Sequence, residues 1–330
     1  MNHFRVFIST ASFAQTDKEP IRLLEKAGCD IQINPHGRKL TAEEVAGYAA
    51  SCEAIIAGTE NLRILIERSS KLKIISRVGA GLDGVPLNLC RERNIRVSYT
   101  PRAVTTSVAE LTLALMLALI RQVVFLDRGI RSGNWQRRMG MCLGENIIGL
   151  IGFGGIGSKV ARLLIPFQPE AILVHDSCDQ TDKISEFSNT GLKIKQVPLN
   201  DLISNADIIS IHVPHSPETH HMISDEQFKL IKPGSFIINT SRGGIVNEQD
   251  LYIALSDGII SGAAIDVFES EPYTGPLTKL DNVIMTPHIG AFTTGCRARM
   301  EREAVDDVLR FFSGKELQNE VPDFEYDAQN

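Results

Sequence analysis

The sequence predicts two α/β domains, each a doubly wound parallel sheet, on three observations. Short apolar runs alternate with helical patterns along almost the whole chain, and strands separated by helices pair in parallel because a crossover must bring each next strand alongside. Most of the later runs are apolar at consecutive positions, the pattern of strands covered on both faces. The length of 330 residues exceeds the ~250–300 residues at which a single core stops growing.

In chain order, the first strand candidates are Arg5–Ser9, Asp30–Asn34, Ala54–Gly58, Lys73–Arg77 and Arg96–Tyr99. Thr41 and Glu44 have capping-box spacing ahead of a helical stretch that runs to Ala50. Ser107 with Glu110 repeats that spacing and predicts a helix from there to about Arg131, apolar on nearly every face and therefore buried. Its longest apolar run, Leu111–Ile120, is about half a bilayer span and is bounded by Glu110 and Arg121, so it reads as core. The second series of strands is Ile147–Ile151, Ala171–His175, Asp207–Val213, Ser235–Thr240, Ser261–Val267 and Val283–Thr286. Pro166, Pro233 and Pro272 punctuate its connections, and Arg297–Phe312 reads as a closing helix.

Composition narrows the function classes. With 43% hydrophobic and 22% charged residues the chain is ordinary for a globular protein, which excludes disordered and fibrous readings. A net charge of −6 argues against nucleic-acid or membrane-surface partners, which need clustered positive charge. Six cysteines form no CxxC, and the opening Met1–Val6 lacks the basic and long apolar regions of a signal peptide; a reduced, cytoplasmic protein is expected. His215, His220 and His221 cluster without a cysteine or acid at ligand spacing, so no metal site is expected.

Chemistry enters at Gly152–Phe153–Gly154–Gly155–Ile156–Gly157, a GxGxxG that directly follows an apolar strand candidate and opens a helix with Ile156, Val160, Leu163 and Leu164 on one face. Gly152 serves a tight turn, Gly154 lets backbone approach a pyrophosphate, and Gly157 allows close helix–strand packing. The helix N-terminus offers N–H groups and a positive dipole end to the phosphates. Asp176 lies 19 residues beyond Gly157, at the end of the next strand candidate. A carboxylate there accepts from ribose hydroxyls and repels a 2′-phosphate, so NAD is favoured over NADP; Lys183 is the nearest cation behind it.

Further stretches carry a specific resemblance. Arg77–Asp83 (RVGAGLD), Val108–Glu110, Gly149–Gly157, His212–Pro214, Lys232–Gly234, Asn239–Gly243 (NTSRG), Asp266–Pro272 (DVFESEP) and Pro287–Gly290 (PHIG) stand in the order found in the D-isomer-specific 2-hydroxyacid dehydrogenases, which the sequence resembles. The resemblance implies two Rossmann-like domains. A flavodoxin-like substrate domain would span 1–103 and 292–330, with an NAD-binding domain, 104–291, inserted in it. It further implies an NAD-dependent oxidoreductase acting on a D-2-hydroxy acid or its 2-keto form, active where the two domains meet, and a homodimer formed through the apolar helix. An NAD(H)-sensing corepressor-like binding protein on the same scaffold is the alternative.

The residues support that chemistry in their own right. Reducing a 2-keto acid needs a cation for the substrate carboxylate and carbonyl, a hydride donor and a proton donor. Arg242 offers a planar fork that pairs bidentately with a carboxylate. His288 is the natural acid/base, and Glu271 would orient its imidazole and favour the charged form. By resemblance these three are the family's catalytic set. The resemblance also implies that Arg77, Gly79, Ala80 and Gly81 meet the substrate, with backbone N–H groups donating to its carboxylate. It implies that Asp266 holds the nicotinamide carboxamide, that His212 and Pro214 wall the adenine side, and that Thr219, Thr240, Ser241 and Gly290 complete the cofactor site. Phosphoglycerate-specific members of that family place an arginine in the loop after the third strand, so the resemblance implies that Ala57–Leu62, with Glu60 and no arginine before Arg63, does not suit phosphoglycerate.

Overall fold

Continuous apolar runs make buried parallel strands, and this chain builds two such sheets. The computed structural model of the chain describes residues 4–327 and 329; Met1, Asn2 and His3 of the opening segment read above lie outside the described residues. The chain divides into two units, Met1–Val104 with Ala291–Asn330, and Thr105–Gly290.

The first unit holds a five-stranded parallel sheet: β1 (Arg5–Ile8), β2 (Asp30–Ile33), β3 (Ala54–Ala57), β4 (Ile74–Arg77) and β5 (Arg96–Tyr99), in the order β2-β1-β3-β4-β5. Phe7, Ile55 and Ile75, all fully buried, lie in its core with Val45 and Leu65 from flanking helices. The helix Ala42–Ala49 is opened by a complete capping box: Glu44 N–H donates to Thr41 Oγ1 at 3.3 Å, and Thr41 N–H to Glu44 Oε2 at 2.9 Å. Along the outer edge of β5, Tyr99 N–H donates to Asn319 O and Val321 N–H to Val97 O, each at 3.0 Å.

The second unit holds seven parallel strands: β6 (Ile147–Ile151), β7 (Ala171–His175), β8 (Ile194–Gln196), β9 (Ile208–Ile211), β10 (Phe236–Asn239), β11 (Gly262–Ile265) and β12 (Val283–Met285). Their order is β12-β11-β10-β9-β6-β7-β8. Successive residues of β6 serve opposite faces: Ile148 and Leu150 join one core, Ile151 the other. Gly149 between them leaves room for Leu202, because a Cβ there would stand 2.5 Å from the Leu202 side chain. The chain runs outward from β6 to β8, then returns to the other side of β6 with β9. The carboxyl ends of β6 and β9 therefore flank the point where the strand order reverses, the usual ligand crevice of such sheets.

Two expectations change. β8 has no counterpart among the strands expected from sequence. It has three residues, sits at the sheet edge and is only partly buried, so it lacks the apolar run that marks the others. The helix expected from Ser107 begins instead at Pro101, a residue suited to the first helical turn because its missing N–H has no partner there anyway. Ser107 is therefore inside the helix, and its hydroxyl donates to Gly290 O at 2.7 Å rather than capping. The helix ends at Ile120. Gln122 takes a left-handed conformation (φ 53°), and a second helix, Val123–Arg131, follows. By length and composition Pro101–Ile120 could cross a membrane, yet Leu115, Met116, Leu119 and Ile120 lie in the core of the second unit.

Candidate active site

The glycine loop after β6 has the shape of a phosphate cradle. Gly152 adopts φ 90°, and a Cβ on it would come within 2.7 Å of His212 O. A Cβ on Gly157 would overlap Gly152 O, so the first turn of the helix Gly155–Leu164 packs directly on the loop. Gly154 has nothing within 4 Å of where its Cβ would be, open space beside the helix N-terminus. Asp176, just past β7, is tied to this loop: its Oδ2 accepts from Phe153 N–H at 2.7 Å and its Oδ1 from Cys178 N–H at 3.0 Å. Lys183 Nζ donates to Phe153 O at 3.3 Å.

Beyond β9, His212 sits with Ser210 Oγ 2.9 Å from its Nε2, while its buried Nδ1 has no hydrogen-bond partner. Burial pushes its pKa down to about 3, so the ring is neutral. Pro214 O accepts from the buried Thr219 hydroxyl at 2.7 Å, and Ser216 N–H donates to that same hydroxyl at 2.8 Å, which closes the loop. The open space at Gly154, the bare glycine backbone and the fixed carboxylate of Asp176 fit a dinucleotide, which these residues would hold.

Three adjacent strands carry the groups expected to act on substrate. β10 and β12 flank β11, with Asn239 paired to Ile265 and Ile265 to Met285. Arg242, Glu271 and His288 leave the carboxyl ends of these strands in turn. Asn239, 2% exposed, organises the first loop: its Oδ1 accepts from Ser241 N–H at 3.0 Å and Ser241 Oγ at 2.7 Å, and its Nδ2 donates to Arg242 O at 2.8 Å. Arg242 also donates to Ser241 O at 2.7 Å, and the Thr240 hydroxyl lies 2.9 Å from that of Thr112. Next to Arg242, Gly243 is pressed against Phe268, where a Cβ would overlap the Phe268 carbonyl. Phe268 N–H in turn donates to Glu271 Oε1 at 3.2 Å. The Arg242 and Glu271 loops are thus in contact.

His288 Nδ1 stands 3.1 and 3.0 Å from the two oxygens of Glu271. The carboxylate can only accept, so Nδ1 carries the proton and Nε2 is the ring nitrogen left for substrate. The His288 backbone is held at φ 53°, its N–H donating to Asp266 O at 2.9 Å. Asp266 is fully buried, and its carboxylate accepts from Thr286 Oγ1 (2.6 Å), Ile289 N–H (2.9 Å) and Gly290 N–H (2.9 Å). Those bonds partly offset burial, which pushes its pKa upward. Asp266 is therefore the anchor of the His288 loop. Local sequence does not reveal the roles of Thr286 and Asn239, because their partners are set by loop geometry.

The first unit places its candidates on one edge as well. Arg77 ends β4 and donates to Val78 O, and Gly79 follows with φ 141°, where a Cβ would stand 2.5 Å from the Arg77 guanidinium. Gly79 N–H donates to Thr100 Oγ1 at 2.8 Å and so is already engaged; Ala80 and Gly81 continue the loop. Past β3, Glu60 is 2% exposed and accepts from Ser9 Oγ at 3.0 Å, where β1 and β3 flank that sheet's reversal of order. Gly58 makes room for it, since a Cβ there would lie 2.8 Å from Glu60 Oε1.

Comparison with known proteins identifies the family and the fold. The model of the D-isomer specific 2-hydroxyacid dehydrogenase NAD binding domain matches residues 113–290. The hydroxypyruvate reductase of Thermotoga maritima is 37% identical over 300 residues, covering 87% of this chain and 95% of that protein. The D-3-phosphoglycerate dehydrogenase of Archaeoglobus fulgidus is 32% identical over 310 residues, 92% of this chain but 57% of that longer protein. The crystal structure of D-lactate dehydrogenase from Aquifex aeolicus complexed with NAD and lactic acid superposes with a TM-score of 0.82 at 28% identity, over 96% of this chain and 98% of that one.

Proposed function

We propose that this chain, which belongs to the D-isomer-specific 2-hydroxyacid dehydrogenase family, interconverts small 2-keto acids and D-2-hydroxy acids with Arg242 as the carboxylate-binding cation and His288 as the acid/base. The Glu271–His288 pair carries that assignment, because it stands on the edge where the Arg242 loop is packed against the Glu271 loop. When bound, the nicotinamide cofactor would supply a hydride for C2 as NADH in reduction and take one up as NAD+ in oxidation. Arg242 pairs with the substrate carboxylate and polarises the carbonyl. His288 Nε2 gives its proton to the C2 oxygen during reduction and takes it back during oxidation, while Glu271 holds Nδ1 and supports the imidazolium. Arg77 and the N–H groups of Ala80 and Gly81 are the substrate contacts of the first unit.

Substrate choice follows from Glu60. A buried carboxylate at the end of β3 repels a phosphate and accepts from a hydroxyl, so hydroxypyruvate and glyoxylate are better fits than a phosphorylated acid. A cytoplasmic homodimer completes the proposal. The cysteines are free thiols, as expected in a reducing compartment. Trp135 and Met139, 78% and 94% exposed, extend from the end of the Val123–Arg131 helix, and Met139 lines a groove of about 440 Å³ with Phe125, Arg138 and Phe236. Exposed apolar side chains such as Trp135 and Met139 suit a second copy of the chain.

The test is nicotinamide absorbance with a panel of 2-keto acids. Arg242→Ala and His288→Ala should each abolish turnover while NADH still binds; activity retained in either variant refutes its role. NADH binding with no turnover on any keto acid would favour a sensing protein instead.

A further inference from the structure

We propose that Gln196, on the edge strand β8, is a positioning residue that sets affinity for NAD and the preference for NAD over NADP by fixing the loop that carries Asp176. The inference rests on Asp176 meeting the adenosine ribose. Gln196 pairs with Val174 in the last rung of the β7–β8 ladder, two residues before Asp176. Beyond this point the Gln196 side chain takes over the work of a strand. Its Nε2 donates to Asp176 O at 3.2 Å and to Cys178 O at 2.9 Å, and its Oε1 accepts from Gln180 N–H at 2.8 Å.

A primary carboxamide has two donor hydrogens and one acceptor oxygen in a plane. Here both hydrogens and the oxygen are engaged on alternate residues of one loop. No other side chain of that size supplies both kinds of partner at once. A carboxylate would lose both donations, and an aliphatic chain would lose all three bonds.

The brace is transmitted to the carboxylate. Asp176 Oδ1 accepts from Cys178 N–H, so the turn held by Gln196 sets the rotamer of Asp176, while Oδ2 bonds to Phe153 N–H in the glycine loop. Released from Gln196, the turn can relax and the carboxylate loses its fixed bearing on the ribose. That weakens the acceptor for the 2′-hydroxyl and the repulsion of a 2′-phosphate together. The chemical step, carried by the loops after β10, β11 and β12 on the opposite wing of the sheet, is untouched.

The experiment compares the parent enzyme with Gln196→Met, which keeps the volume, Gln196→Ala, and Asp176→Ala. NADH and NADPH affinities are measured by calorimetry, KM and kcat by nicotinamide absorbance, and folding by thermal unfolding. Loss of hydrogen bonds of this kind corresponds to about a tenfold weaker NADH affinity in both Gln196 variants. NADPH affinity should hold or improve, narrowing the preference, with kcat at saturating NADH within about twofold of the parent. Gln196→Glu, whose second oxygen would face the Asp176 and Cys178 carbonyls, should bind NADH no better than Gln196→Met. If both folded Gln196 variants bind NADH like the parent while Asp176→Ala does not, the inference is overturned and the role of Asp176 stands. If Asp176→Ala also binds NADH like the parent, both fall.

Discussion

Glu271 and His288 are each about 40% exposed, and a half-exposed ion pair contributes under ~1 kcal/mol to stability. Its value lies in which nitrogen it leaves for the substrate. Glu271→Gln should therefore lower kcat on the order of a hundredfold while the thermal midpoint stays close to that of the parent. A large loss of stability instead would mean that the pair is structural. Thr286 makes the contrasting case, since it donates to the fully buried Asp266. Thr286→Val removes a bond to a charged group and should cost about 1.5–3 kcal/mol at neutral pH. Burial raises the folded pKa of Asp266 above its ordinary 3.8, so the neutral form is the one folding favours. The unfolded state is common to parent and variant, so the destabilisation should be small below the raised folded value and grow as pH climbs through it. Unfolding curves across that range would show it, and a deficit independent of pH would exclude Asp266 as its source.

At the scale of elements, the helix Gly155–Leu164 depends on one missing methyl. Gly157→Ala would drive a Cβ into Gly152 O and force helix and loop apart, so NADH binding should drop by at least two orders of magnitude and the unfolding midpoint should fall. Calorimetric titration would show whether it does. Legibility at this scale followed burial. β6, β7 and β5 coincide with their predicted ranges. β8 escaped notice because Ile194–Lys195–Gln196 is brief, partly wet and polar at two of three positions. The Ser107–Glu110 spacing imitated a helix start that the chain makes six residues earlier, and the break at Gln122 carries no glycine or proline to announce it. Motif and spacing could name Arg242, Glu271 and His288 as candidates. They could not show Asn239 and Thr286 as supports of those loops, or Gln196 as the brace of the Asp176 loop, since a hydrogen bond across a loop leaves no periodic trace in sequence.

Over the whole molecule, Glu60 makes the substrate proposal testable. Reduction of hydroxypyruvate or glyoxylate should exceed that of phosphohydroxypyruvate by at least tenfold in kcat/KM, and Glu60→Gln should narrow the gap by relieving the repulsion of phosphate. Equal rates on both kinds of acid would remove the proposal. Light scattering should return twice the chain mass of 36.3 kDa, and Met139→Asp should shift the mass toward a single chain without changing NADH affinity. A parent that weighs one chain at all concentrations would end the dimer reading.

The bonds from Asn319 and Val321 to the margin of β5 have a consequence for handling as well as for architecture. A bare strand margin is a template on which foreign polypeptide can polymerise, and here a stretch from beyond the closing helix already occupies it. Cutting the protein shortly before Asn319 would strip that cover, and the shortened form should precipitate at concentrations the intact one tolerates.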